Sequence, residues 1–405
     1  MKFSRIGLLF IFAILGFSQA TFAQSAAFTP ICNRTFEVSQ TLQMAFHKNC
    51  DQITPADLLT VKKLEVLWDS NTQAPKVGDF SGLLNLKTLS MRAGHLSTLP
   101  AGVFSDLAKL EVLDMSGNPI ASVSAPMFAG LTSLKALVAG CPFKKIPADL
   151  FKNMPHLQTI DIYGAPLTSI APGAFSHLQE LRELRIMVEA ETLPARMLAN
   201  LPKLEFVYLG SKTLTALPAD LLEGDTRLNW FQIYGFLSGN ISEIPQNFFR
   251  GLTSLEFVNI EGQNLTRLPP GLFANLPALK HVVLDTYTLT SIPGDLFRGD
   301  SAMVIANFAL SPLAAIPIDL FQGLSNLQMI IMHGTFTHIA PSTFAGLSKV
   351  QNLTLSGKIT SISSGFFRDL NIKDQFSLNL AGNPLDQPSK ADLKATFGNR
   401  VYLGE

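Results

Sequence analysis

The side chains of this 405-residue chain that could carry chemistry are few and scattered. Asp161, Glu183, Glu261 and Asp285 are carboxylates that could line one groove, and a carboxylate pair flanking a bond is what glycoside hydrolysis needs. Only Glu261 and Asp285 are expected on adjacent strands. Seven His are spread along the chain. His281 and His333 are predicted to point from strands, and His177 stands three residues before Glu180 in a predicted exposed turn, but none has a second ligand at metal spacing. There is no G-x-S-x-G, phosphate loop, H-E-x-x-H, C-x-x-C or calcium loop. The sequence is therefore read as non-enzymatic, with no catalytic residues, no metal site and no cofactor. Large aromatic residues at regular spacing carry more information, and placing them requires the frame on which they sit.

That frame is a repeat. Leu86, Leu110, Leu134, Leu157, Leu181, Leu204, Leu228, Leu255, Leu279, Met303, Leu327 and Val350 follow one another at 23 or 24 residues, with one step of 27. A unit this short cannot bury its own apolar face and must stack on its neighbours. Within Leu110–Ser133, Leu110, Leu113 and Met115 alternate with polar residues, which predicts a short strand with one buried face. Asn118 follows at a turn, Ile120 and Val123 return inward, and Phe128 and Leu131 close the far side. The same frame fits the units beginning at Leu86, Leu255 and Leu279, except that Asp300 takes the last apolar place of the Leu279 unit.

This pattern, L-x-x-L-x-L-x-x-N/C-x-L with tails such as "LPAGVFSDL" (99–107) and "LPPGLFANL" (268–276), resembles the roughly 24-residue class of leucine-rich repeats found mostly in extracellular proteins. The resemblance covers about 64–385. It implies an α/β solenoid, a horseshoe of about 14 repeats with a parallel concave β-sheet and an irregular or 3-10 convex side. The convex side is expected to be held by a spine of Phe104, Phe128, Phe151, Phe175, Phe249, Phe273, Phe297, Phe321, Phe344 and Phe367. About fourteen strands would give an inner arc on the order of 60 Å, enough to hold a protein domain.

Residues two, four, six and seven places after each lead residue should face the concave side. This puts Val66, Trp68 and Ser70 there in the first repeat, then Tyr163, Phe206, Tyr208, Trp230, Gln232, Tyr234, Phe257, Asn259 and Glu261 in the middle. These last nine form the candidate ligand-binding site. Phe206, Trp230 and Phe257 hold the same place in successive repeats, so they should form one row with a polar border. Packing among themselves is the alternative, and sugar stacking on Trp230 is a variant. The Asn place of the turn reads Gly94, Asn118, Cys141, Ala165, Glu189, Lys212, Phe236, Gln263, Tyr287, Ser311, Thr335, Lys358 and Asn383, so the middle repeats are expected to be the least regular. The 27-residue unit carries an insertion near Leu237–Asn240, which reads equally as a binding loop or as tolerated drift.

Residues 1–23 read as a secretory signal: Lys2 and Arg5, an apolar run over Ile6–Phe17, and Thr21-Phe22-Ala23 as cleavage site. Residues 24–63 are expected to be an N-terminal cap, 64–385 the solenoid and 386–405 a C-terminal cap, helical through Ser389–Phe397. "CNRTFEV" and "CDQITPADL" resemble the cap of exported bacterial leucine-rich proteins, with Asn33 for the usual Asp. Cys32 and Cys50 lie in that cap and are paired as a disulfide; two free thiols are the alternative. A short amphipathic helix is expected over Thr35–His47. Cys141, at an Asn place, is expected as a buried thiol. The lack of a Cys cluster at the far end favours a bacterial chain and weakens Asn33, Asn240, Asn264 and Asn352 as glycan acceptors. With 31 basic and 31 acidic residues and only 15% charged, the chain lacks the basic stripe that nucleic acid or anionic lipid requires. The sequence thus predicts an exported, monomeric recognition scaffold, in the periplasm, at the surface or outside the cell, not inserted in a membrane after signal cleavage. It would bind a protein ligand, or a glycan, through the concave face. The rivals are a structural component of an envelope or surface layer and, last, a glycan-processing enzyme.

Overall fold

Alternation of apolar and polar residues at each 24-residue step gives one short strand per turn of the chain, and the strands pair in parallel because every turn runs the same way. The computed structural model describes residues 28–68, 73–235, 239–367, 370 and 376–404, so the predicted signal at 1–23, Ser70, Phe236, Leu237 and Ser238 lie outside the described residues. In chain order the strands are β1 (Lys63–Glu65), β2 (Thr88–Ser90), β3 (Val112–Asp114), β4 (Ala136–Val138), β5 (Lys145–Ile146), β6 (Thr159–Leu167), β7 (Ser169–Ile170), β8 (Glu183–Val188), β9 (Phe206–Ser211), β10 (Trp230–Tyr234), β11 (Phe257–Glu261), β12 (His281–Asp285), β13 (Ile305–Leu313), β14 (Met329–Gly334), β15 (Asn352–Ser356), β16 (Ser377–Asn379) and β17 (Val401–Tyr402). All but β5 and β7 form one 15-stranded parallel sheet in chain order; β5 and β7 pair separately.

The lead residues from Leu86 to Leu327 are buried, and so are their strand partners such as Leu113, Met115, Val258 and Ile260. The far side is built of turns and two 3-10 segments, Ala125–Phe128 and Ser364–Phe367. All ten spine Phe are buried. Neighbouring rings lie nearly parallel, as at Phe151–Phe175 (5.7 Å), Phe249–Phe273 (5.3 Å) and Phe321–Phe344 (5.9 Å). Phe80, stacked 6.0 Å from Phe104, extends the spine one turn further than its sequence frame indicated. Leu198 and Leu222 fill the two places that lack Phe.

The first turn departs from the expected frame. Leu64 pairs with Leu89, not with the lead Leu86, so Lys63 and Glu65 face the concave side. Val66 and Trp68, expected there, are buried in the core at 0% and 3% exposure. The far end also differs: after α3 (Gln387–Phe397) the chain adds β17 beside β16, so the strand at 377–379 is not the last.

The N-terminal end is closed by α1 (Phe36–Phe46) and the one-turn α2 (Pro55–Leu58), with Cys32 and Cys50 joined in a disulfide. Arg34 and Thr35 tie this end to the first turn through Asp79. The buried Asp79 carboxylate accepts from the Thr35 N–H (2.9 Å), the Thr35 hydroxyl (2.9 Å) and the Lys76 N–H (2.8 Å). The Arg34 guanidinium donates to the carbonyls of Thr29, Asp79 and Ser81. Burial lowers the Arg34 pKa to about 10, and Asp79 and Asp106 oppose that shift. The Arg-Thr pair of the cap motif therefore supplies the donors that fix the cap.

Turn amides are satisfied where a suitable side chain exists. Asn118 donates to the Met91 and Met115 carbonyls and accepts from the Leu96 N–H. Asn383 repeats this with Leu355, Leu380 and Ile359. Cys141 is free and buried, its thiol donating to the Met115 carbonyl at 3.0 Å. One unit satisfies the turn from a neighbouring place: Ser211 accepts from the Thr213 and Leu214 N–H groups; in another, buried Thr286 lies inward in place of the exposed Tyr287, but its hydroxyl has no partner. In the 27-residue unit Asn240 donates to the Lys212 carbonyl and Gln263 accepts from Ile241, which ties the inserted segment to the turns on either side. Gly235 lies so near the next turn that a Cβ there would be 2.3 Å from the Gly262 carbonyl oxygen.

Asp225 and Asp300 stand where other repeats carry Leu, and both are fully buried. The cause lies one repeat earlier. Asn200 and Asn275 adopt left-handed backbone, and their N–H groups bond across to Glu223 and Arg298. The following N–H groups, of Leu201 and Leu276, reach the Asp225 and Asp300 carboxylates at 2.8 and 2.7 Å. The second oxygen of each carboxylate is buried without a partner.

Three outcomes follow from this packing. Asp79→Ala leaves three donors unpaired beside Arg34 and should cost about 3 kcal/mol or more, seen as early loss of hydrogen-exchange protection in α1 and β1. Burial pushes the Asp225 and Asp300 carboxyls up to about 7 from 3.8, against the bond from the Leu201 or Leu276 N–H. The folded state then holds these protons more tightly than the unfolded chain, so their stabilising contribution is complete below about pH 4 and is lost as pH rises through 7. Asp225→Asn/Asp300→Asn keeps the acceptors and removes the charge; denaturation midpoints at pH 4.5 and 8 should differ less for this variant than for the native chain. Burial raises the Cys141 thiol to about 11, so iodoacetamide should label it only after unfolding, while peptide mapping finds Cys32 linked to Cys50.

Candidate concave binding site

The site is positioned by strand register. Phe206, Trp230 and Phe257 are direct partners on β9, β10 and β11, and His281 on β12 continues their line. Tyr208, Gln232 and Asn259 form the next line, and Tyr234 pairs with Glu261. Because the flanking Phe231, Ile233, Val258 and Ile260 are buried in the core, alternation sends all of these side chains to the concave side.

Tyr163 arrives by a different route. Pairing of β6 with β8 slips between Ile162 and Pro166, and the extra residues form a bulge. The bulge carries Tyr163, 39% exposed, across β8 to meet Tyr208 edge-on at 5.2 Å. Burial, then hydrogen bonding to Tyr163, pushes the Tyr208 hydroxyl above its ordinary pKa. The structure thus gathers all nine sequence-predicted site residues on β6, β9, β10 and β11.

The rings pack closely on one another. Trp230 stacks on Phe257 at 3.6 Å and 12°, and on Phe206 at 5.9 Å and 22° on its other side. The Arg185 guanidinium lies 4.9 Å from the Phe206 ring centre, and His281 meets Phe257 edge-on at 6.1 Å. Burial, reinforced by Lys280 and opposed by Glu256, lowers the His281 pKa. Phe257 covers one indole face and Phe206 flanks the other at an offset, so Trp230 has little open face on which a sugar ring could stack. Packing and presentation therefore occur together, with Phe206, Trp230 and Phe257 each half-buried.

Polar groups border the row. Asn259, 7% exposed, donates to the Glu261 carboxylate, while its own carbonyl oxygen has no partner. Asp285 is the register partner of Glu261, accepts from the Leu310 N–H at 3.3 Å, and is pushed upward in pKa chiefly by burial. Arg185, His281 and Asp285 also lie on this face, outside the nine residues of the sequence-predicted site. The half-buried Ile305 and Met329, which extend the row beyond His281, were missed; the same offset applied to later repeats finds them. His177, expected in an exposed turn, is half-buried with its Nε2 enclosed and unpartnered, because the turn packs against the neighbouring repeat. Among the described residues no group of three or more His, Cys, Asp or Glu could hold a metal ion, and no helix is long and apolar enough to cross a membrane.

Comparison with known proteins defines the class. The Leucine-rich repeat region family matches residues 43–300, and the BspA type Leucine rich repeat region (6 copies) matches 266–379. The chain belongs to the leucine-rich repeat family. No curated protein sequence matches it. Among solved structures it is similar to the Drosophila Toll receptor in its complex with Spätzle, at 23% identity and a TM-score of 0.67 over 82% of this chain and 49% of that one. It is also similar to a Listeria monocytogenes internalin, at 16% identity and 0.61 over 88% and 98%, and to a Leptospira interrogans leucine-rich repeat protein, at 17% and 0.59 over 86% and 97%. The chain spans about half the length of the Toll chain it matches. These likenesses establish the fold.

Trp230→Ala removes two ring contacts and is expected to cost about 1–3 kcal/mol locally. Hydrogen exchange should quicken in β9–β11 while α1 and α3 keep their protection.

Proposed function

We propose that this chain is an exported, non-enzymatic recognition protein that binds a protein ligand through the concave face, centred on Phe206, Trp230 and Phe257. The observation that carries this reading is a half-buried aromatic row on the concave face that the solenoid does not need. The core beneath it is already closed by Phe231, Ile233 and Val258. Aromatic patches with polar borders are where binding energy concentrates. The family is one of scaffolds, and the similar Toll receptor forms a complex with a protein, Spätzle. A second leucine-rich repeat structure of similar fold, at 20% identity and a TM-score of 0.56, is a complex of TLR13 with single-stranded RNA. Here the concave strands carry more carboxylates than cations, which opposes a polyanion. Export is supported by the signal-like N-terminus and the Cys32–Cys50 disulfide. The little open face left on Trp230 favours protein over glycan.

A structural role keeps one specific observation: α1 turns Phe36 (70% exposed) and Met44 (61%) outward, a face suited to end-on stacking of copies. Sedimentation of the native chain and of Phe36→Ser/Met44→Ser separates the readings; concentration-dependent association lost in that variant would favour the structural role.

The mature chain, used as bait against envelope and culture-medium fractions, should capture a protein. Trp230→Ala/Tyr208→Ala should lose about 2 kcal/mol or more of that binding while its circular-dichroism spectrum stays native. Undiminished capture by the variant would remove the concave row from the reading.

A further inference from the structure

The concave face has an unbalanced charge. From β3 to β12 its inward-facing strand residues include Asp114, Asp161, Glu183, Glu261 and Asp285, against the single cation Arg185. Arg185 is committed to the Phe206 ring, and Asp114 has Arg92 at 3.6 Å. Glu261 and Asp285 sit side by side on β11 and β12, one line beyond Asn259 and Val283 and two from the aromatic row, and among the described residues neither has an ion-pair partner. Lys280, the nearest cation in sequence, is held by Glu256 at 2.8 Å, and burial disfavours the charged form of His281.

Each of the two carboxylates has one oxygen fixed from within, Glu261 by the Asn259 amide and Asp285 by the Leu310 N–H. Asp285 also receives the Ala309 N–H, and the second Glu261 oxygen takes no described hydrogen bond. Asn259, 7% exposed, holds Glu261 in place through its amide, and its own carbonyl oxygen is enclosed without a partner. The cluster consists of acceptors held in place with no donor to match. A carboxylate pair on adjacent strands suits a planar group with several fixed N–H donors, and a guanidinium supplies five. An apolar neighbour would meet the edges of Trp230 and Phe257 and the adjoining Val283.

We infer that the protein ligand of the concave face presents an arginine side chain to Glu261 and Asp285, with apolar side chains beside it against the edges of Trp230 and Phe257. This rests on the concave-face reading above. The sign of the charge, the fixed acceptors and the aromatic edges together name a basic–apolar segment and not an acidic or purely apolar one. Acid should weaken the contact, since burial raises the Asp285 carboxyl and protonation would remove its charge.

The test is selection of a random peptide library displayed on phage against the immobilised full chain, followed by synthesis of the strongest binder. Selected peptides should carry Arg beside Leu, Phe or other apolar residues. Glu261→Gln/Asp285→Asn should bind the synthetic peptide at least about tenfold more weakly, and replacing the peptide's Arg by Gln should have little further effect in that variant. Trp230→Ala should also weaken it. Peptides without basic residues, or equal binding by the native chain and Glu261→Gln/Asp285→Asn, overturn the arginine inference. If Trp230→Ala still abolishes binding in that case, the concave-face reading stands alone; if no selected peptide is sensitive to Trp230→Ala, both fall.

Discussion

Backbone pairing between successive turns is the interaction on which everything else depends. Each strand of the large sheet bonds only to the strand before and the strand after it, from β1 to β17. The buried Leu rows and the Phe spine repeat that nearest-neighbour logic beneath and behind the sheet. A stack of this kind has no central core to protect its ends, so the terminal turns need special covers. At one end the cover is a disulfide-closed helical segment held by Arg34, Thr35 and Asp79; at the other it is α3 with β17. The two ends solve one problem with different chemistry, a buried charged network against an added strand.

The same constraint explains which irregularities are tolerated. A turn can lose its Asn provided another group reaches the stranded backbone groups: the Cys141 thiol and Ser311 hydroxyl donate to carbonyls, and Ser211 accepts from an amide. A repeat can replace its last Leu by Asp when the turn before it has left an N–H facing that place, as at Asp225 and Asp300. Gln263 serves the inserted segment with its carbonyl but leaves its amide nitrogen enclosed without a partner. Irregular turns thus bring buried polar groups with them, and these concentrate between Asp225 and Asp300, behind the strands that carry the aromatic row.

The concave side of the sheet is the side that packing leaves open. There the parallel register lines up equivalent residues at strand spacing, so a single aromatic at one place becomes a row when its neighbours in sequence are aromatic too. Stacking within the row leaves little open ring face, while Glu261 and Asp285 supply acceptors beside it. A surface of that kind discriminates among ligands by the donors and apolar groups they bring. Sugar faces and polyanions are poorly matched to it, and a basic, apolar protein segment is well matched.

Much of this was legible in the sequence because the relevant physics is periodic. Leu and Phe at a constant step specify a stacked parallel solenoid, and the step fixes which residues are strand neighbours, so the line Phe206–Trp230–Phe257 could be read without coordinates. Where the period fails, the sequence is silent. The repeat frame puts Trp68 on the concave face, but the first turn, built against the cap, takes its strand from Leu64 at a different offset, and Trp68 is buried in the core. Tyr163 joins Tyr208 by way of a bulge whose position depends on the pairing of two strands. Whether Trp230 offered a face or an edge, and whether Glu261 and Asp285 had cations of their own, depended on side-chain packing across several repeats. The sequence by itself determined the repeating scaffold and the residues it displays, because one short unit dictates its own backbone geometry. Only the tertiary structure decided which of their atoms remain free to bind, because that depends on contacts between units far apart in the chain.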